Sequence, residues 1–152
     1  MKILMVCLGN ICRSPLAEGI MKEKMKTQFE DFQVDSAGTI SLHQGSLPDA
    51  RSIKTAFQHG IDIENQRSRP ITQNDLKDFD YIFCMDKNNY RDVMELAETE
   101  TQKAKIHLFL EFANQQGAEV PDPYYGGADG FEKVYQMLDK AADIVVEKLK
   151  TN

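Results

Sequence analysis

Lys2–Cys7 is apolar at five of its six positions and reads as a strand buried on both faces. A short glycine-containing loop follows. Leu16, Ile20, Met21, Met25 and Phe29 then recur at helical spacing and predict an amphipathic helix. Phe32–Ser36 predicts a second strand, and Asp49–His59, just after Pro48, a helix that Gly60 would end as a left-handed cap. Tyr81–Met85 predicts a third strand with a helix over Lys87–Leu96 after it, and Lys105–Leu108 a fourth strand. The final helix has the clearest period, carried by Phe131, Val134, Tyr135, Leu138, Ala141, Ala142, Val145 and Leu149. This alternation predicts an α/β fold: one three-layer domain over residues 1–152, its mostly parallel four-stranded sheet covered by helices on both faces. Ligands of such sheets bind at the carboxyl ends of the strands, so the end of the first strand is the expected site.

Composition narrows the function. A chain of 152 residues can bury about two-thirds of its unfolded surface in one core without staples. A net charge of −6 argues against nucleic acid as a partner, since that binding rests on many cations facing phosphates. Any anion must therefore be held locally. The early apolar run Ile3–Leu8 is far too short to span a bilayer or form a signal-peptide core, so the expectation is a cytoplasmic protein with no membrane partner. Three scattered cysteines, Cys7, Cys12 and Cys84, suit neither a disulfide framework nor a zinc site. His43, His59 and His107 show no ligand spacing, so no metal or cofactor is expected.

The expected site reads Cys7-Leu8-Gly9-Asn10-Ile11-Cys12-Arg13-Ser14-Pro15. Ser14 and Pro15 look like an N-cap followed by proline at the first helical position. Gly9 and Asn10 tolerate positive φ, and such turns aim successive backbone N–H groups into one concavity, an anion cradle. Arg13 offers a planar fork to two oxyanion oxygens, and the helix N-terminus adds partial positive charge. The same surroundings favour Cys7 as thiolate, the better nucleophile. A cysteine at a strand end is otherwise most often a small buried hydrophobe, which is the simplest reading of Cys84. Cleaving a phosphate ester also needs a proton for the leaving oxygen, and Asp122, between Pro121 and Pro123, is the candidate acid. Taken alone, Asp-Pro is more often just a turn.

The nine residues from Cys7 to Pro15 match, without a gap, the C-x5-R-[ST]-P signature of low-molecular-weight protein tyrosine phosphatases, and the chain is identified on that basis as resembling the family. The likeness extends through Asp35-Ser36-Ala37-Gly38-Thr39, Pro48-Asp49-Ala50-Arg51, His59-Gly60-Ile61, Phe79-Asp80-Tyr81, Cys84-Met85-Asp86 and Asp122-Pro123-Tyr124-Tyr125. The resemblance implies a metal-free hydrolysis of phosphotyrosine in proteins or peptides through a cysteinyl-phosphate. In it Cys7 is the nucleophile, Arg13 and the backbone of Leu8, Gly9, Asn10, Ile11 and Cys12 bind phosphate or other oxyanions, and Ser14 donates a hydrogen bond to the sulfur. It also implies Asp122 as general acid, Tyr124 and Tyr125 beside the ring, and Cys12 as disulfide partner of Cys7 under oxidation. Two positions depart from the family pattern. Leu42, beside His43, stands where eukaryotic relatives carry Trp or Tyr in the ring slot, and Gln66 stands where many members have a structural His. Two rivals remain: an arsenate reductase, which needs a relay of further thiols, and a silent phosphotyrosine-binding module, which needs neither nucleophile nor acid.

Overall fold

Ile3, Met5 and Cys7 join one buried cluster and Leu4 and Val6 another, because successive side chains of a strand point to opposite faces. That strand, β1 (Lys2–Cys7), lies inside a sheet completed by β2 (Gln33–Gly38), β3 (Tyr81–Cys84) and β4 (Ile106–Leu108) in the computed structural model, which describes residues 1–151. The order is β2-β1-β3-β4 and every pair is parallel.

The helices are α1 (Arg13–Met25), α2 (Ala50–Gln58), α3 (Gln73–Asp78), α4 (Lys87–Leu96), α5 (Glu100–Lys103), α6 (Phe109–Phe112) and α7 (Ala128–Thr151). On one face α1, α2 and α7 bury Leu16, Ile20, Ala56, Val134, Leu138 and Val145 against the sheet. On the other, Leu76 of α3 and Val93 of α4 pack over Leu4, Val6, Ile82 and Cys84. The result is the expected three-layer α/β domain. The strand order reverses at β1, with β2 added on one side and β3 on the other, so the loops leaving β1 and β3 diverge and open a crevice at their carboxyl ends. Among the described residues no helix is long and apolar enough to cross a membrane.

Several local expectations are corrected. Residues 13–21 of α1 are buried all round rather than on one stripe, because the helix is enclosed by the sheet, α2 and α7. Phe29 lies beyond the helix end, half-buried against the same cluster. The second strand runs two residues further than expected, to Gly38, and the third stops at Cys84. Three short helices, α3, α5 and α6, were not expected, since four to six residues are too few to show a period. Ser14 does not cap α1: the helix begins at Arg13, Cys12 occupies the cap position without a side-chain hydrogen bond, and Pro15 falls on the third helical residue. Proline is tolerated there because that N–H has no intrahelical acceptor. Gly60 does take the left-handed turn expected of it, at φ 81° after α2.

Candidate active site

The loop between β1 and α1 turns on Asn10, the one non-glycine residue of this segment with positive φ, at 56°. Gly9 does not share that conformation. Its constraint is space, since a Cβ there would lie 3.0 Å from Cδ2 of His43. Gly38, opposite the loop, is restricted more severely, because a Cβ would come within 2.7 Å of the Leu8 carbonyl oxygen.

Asn10 holds the loop by its side chain. Its Oδ1 accepts the Arg69 N–H at 3.0 Å, and its Nδ2 donates to Ser14 Oγ at 2.8 Å and Ser36 Oγ at 3.0 Å. Ser36 passes its own hydrogen to Glu18 Oε1 at 2.7 Å. Ser14 Oγ, which accepts from Asn10, lies within hydrogen-bond distance of Cys7 Sγ at 3.0 Å. Ser68 Oγ donates to the Gly9 carbonyl, the Asp49 N–H to the Ile11 carbonyl, and Ser52 Oγ to the Cys12 carbonyl. The carbonyls are thus drawn outward. Among the described residues none accepts a hydrogen bond from the backbone N–H of Gly9, Asn10, Ile11 or Cys12. These donors, with the uncapped first turn of α1, form a concavity suited to an oxyanion.

Arg13 is 2 % exposed. Its Nη1 donates to Asp86 Oδ2 at 2.6 Å and to the Val120 carbonyl at 3.0 Å, which pins the guanidinium and leaves its Nε–Nη2 edge for an anion. Burial works against its charge, but Cys7 and then Asp86 more than offset this and hold the pKa above its ordinary value. Asp122 Oδ2 stands 3.9 Å from Arg13 Nη2, and Asp122 Oδ1 accepts the Tyr124 N–H at 3.0 Å. Burial, then the charge of Asp49, pushes the Cys12 thiol up to about 12. All three cysteines are free thiols, with Cys84 wholly buried in β3.

A single cleft is lined by Cys7, Leu8, Gly9, Ile11, Cys12, Arg13, Asp122, Leu42, Tyr124 and Tyr125, together with Ile40 and His43. It therefore gathers every residue expected at the site except Asn10 and Ser14, which support the loop from behind. Among the described residues no group of three or more His, Cys, Asp or Glu could hold a metal ion.

The low molecular weight phosphotyrosine protein phosphatase family model matches residues 2–152. The chain belongs to this family. A low molecular weight phosphotyrosine protein phosphatase from Homo sapiens is 40% identical over 149 residues, covering 96% of this chain and 94% of its own. The crystal structure of a protein tyrosine phosphatase from Entamoeba histolytica, with Hepes in its active site, superposes with a TM-score of 0.92 at 42% identity, covering 99% of this chain and 97% of the other. A Drosophila arginine phosphatase superposes with a TM-score of 0.91 at 35% identity, over 98% of each chain. The homologue from Homo sapiens and the Entamoeba structure are both protein tyrosine phosphatases, which are hydrolases.

Within this phosphatase framework, several supporting residues escape a reading of the loop alone. Asp86 is both the N-cap of α4 and the partner of Arg13, 73 positions away in the chain. Its sequence signals, the cap before a helix and its place in the Cys84-Met85-Asp86 likeness, do not reveal that partner. Glu18, Ser36, Ser68 and Ser52 are reached only through the fold. Gln66 donates from Nε2 to the Pro15 carbonyl at 3.1 Å, a hydrogen bond to the first turn of α1.

Proposed function

We propose that this family member hydrolyses phosphotyrosine in proteins or peptides in two steps on Cys7. The Cys7 sulfur attacks phosphorus. The bond from phosphorus to the tyrosyl oxygen breaks, and that oxygen takes the proton of the Asp122 carboxyl. The loop N–H groups and the Nε–Nη2 edge of Arg13 hold the equatorial oxygens as negative charge gathers on them. A water then attacks the cysteinyl-phosphate and gives its proton to Asp122, while the sulfur departs toward the Ser14 hydroxyl. Phosphate leaves, and the acid is ready again. The observation that carries this reading is the placement of Asp122 Oδ2 3.9 Å from Arg13 Nη2, above the cleft that Cys7 lines. A thiol relay of the arsenate-reductase kind lacks support, since Cys84 is sealed in the sheet.

Likeness to the Drosophila arginine phosphatase raises phosphoarginine as a second substrate class. The chemistry of the walls favours the aromatic ester. Ile11, Ile40, Leu42, Tyr124 and Tyr125 give an apolar rim, and among the described residues Asp122 is the one carboxylate lining the cleft, too few for a cationic guanidinium beside a working acid. Peptides identical but for phosphotyrosine, phosphoserine or phosphoarginine, compared by kcat/KM, test this. Phosphotyrosine should lead by about a hundredfold or more, the scale at which a site separates chemically different groups. A phosphoarginine peptide cleaved as fast would reassign the substrate.

A further inference from the structure

Helix α2 lies between the anion loop and the loop carrying Asp122, and one side chain joins the two. Asp49, the N-cap of α2, donates its backbone N–H to the Ile11 carbonyl at 2.7 Å. Its carboxylate accepts Arg51 Nε–H on Oδ1 at 3.0 Å and Nη2–H on Oδ2 at 2.9 Å, a two-bond fork. The remaining nitrogen, Nη1, donates to the Tyr124 carbonyl at 3.1 Å. The guanidinium carbon also lies 4.5 Å from the ring centroid of Phe131, in the first turns of α7, and 5.3 Å from that of Tyr124. Tyr124 is the residue whose N–H holds Asp122 Oδ1. A continuous path of directional bonds therefore runs from Ile11 through Asp49, Arg51 and Tyr124 to Asp122.

At the far end of α2, His59 Nε2 meets Glu132 Oε1 at 2.9 Å, and its ring stacks on Tyr135 with centroids 3.9 Å apart. The helix that carries Arg51 is thus tied to α7 as well as to the anion loop. The segment after Asp122 needs such a tie, because Gly126 and Gly127 give it little stiffness of its own.

We propose that Arg51 is a positioning residue for the general acid: by gripping the Tyr124 carbonyl from a guanidinium locked to Asp49, it fixes the Asp122 carboxyl over the bound phosphate without touching substrate. The proposal rests on the assignment of Asp122 as the acid. Lysine cannot replace the arginine fully, since one ammonium cannot hold both Asp49 oxygens and the Tyr124 carbonyl in a single plane.

The test is kcat/KM, which reports breakage of the phosphorus–oxygen bond, for aryl phosphates spanning low- to high-pKa phenols in wild type, R51M, R51K, D122A and the R51M/D122A double variant. Inhibition by inorganic phosphate is measured alongside. R51M should lose about tenfold or more with poor leaving groups and less with good ones, the cost of a misplaced group. Phosphate inhibition should stay within about twofold of wild type, R51K should fall between wild type and R51M, and R51M should cost under about twofold once Asp122 is gone. Equal losses across the series, a full loss in the D122A background, or phosphate inhibition weakening in step with the rate would each overturn the proposal. If D122A itself loses equally across the series, the assignment of the acid has failed. If only R51M does, the assignment stands and Arg51 is not its positioner.

Discussion

Leu42 stands at the cleft mouth with 77 % of its surface exposed, opposite Tyr124 and Tyr125, whose rings meet edge-on with centroids 5.0 Å apart. An aliphatic wall there forgoes an aromatic contact with a substrate ring, typically about 0.5–1.5 kcal/mol. Leu42→Trp should lower KM for a phosphotyrosine peptide by up to about tenfold with little change in kcat, since a wall contact binds ground and transition states alike. Steady-state constants on one peptide decide it, and an unchanged KM would remove Leu42 from the slot. At this scale the chain was most readable where chemistry is local. Cys7, Arg13 and Asp122 stand within short motifs whose turn residues announce themselves. Asp86 and Arg51 do not, because their roles come from partners 73 residues distant in each case. Ser14 reads as a cap in the sequence because serine before proline carries the same signal whether its hydroxyl meets the backbone or, as here, lies beside a sulfur.

The element that binds the site together is α1, enclosed over its first nine residues and carrying a buried acid, Glu18. Burial raises the Glu18 carboxyl above its ordinary 4.5, against the hydrogen bonds from Lys22 and Ser36 that favour its charge. The native state therefore holds this proton more tightly than the unfolded chain does. Its contribution is complete below the unfolded value and is lost as pH rises through the raised native one. Glu18→Gln removes that titration while leaving an oxygen for Ser36. Thermal unfolding of both proteins from below pH 4.5 to neutrality should show the variant gaining on wild type as pH rises. A difference in Tm independent of pH would contradict the buried charge. Elements were legible in proportion to their length. The expected core positions of α7 are all buried and α4 has the expected bounds, whereas α3 left only the Thr72–Asp75 capping box as a trace.

Across the whole molecule, function follows from a sheet order that reverses direction beside β1 and so opens a crevice where the anion loop begins. A chain of net charge −6 meets a phosphate there because the positive field is local, built from backbone N–H groups, a helix end and one buried arginine. The α/β class and a cleft at the end of β1 could be read from alternating elements. The enclosure of α1, and the bridge from α2 to the Asp122 loop, depend on which helices share a face, which periodicity does not encode. The two-step reaction requires that phosphate pass through the sulfur of Cys7. Phosphorus NMR on enzyme denatured during the first turnover of a phosphotyrosine peptide tests it directly. A single phosphoryl group on sulfur is expected, mapped to the Cys7 peptide and absent in Cys7→Ser, which should be inert. Release of phosphate with no phosphoenzyme, together with sustained turnover by Cys7→Ser, would contradict it.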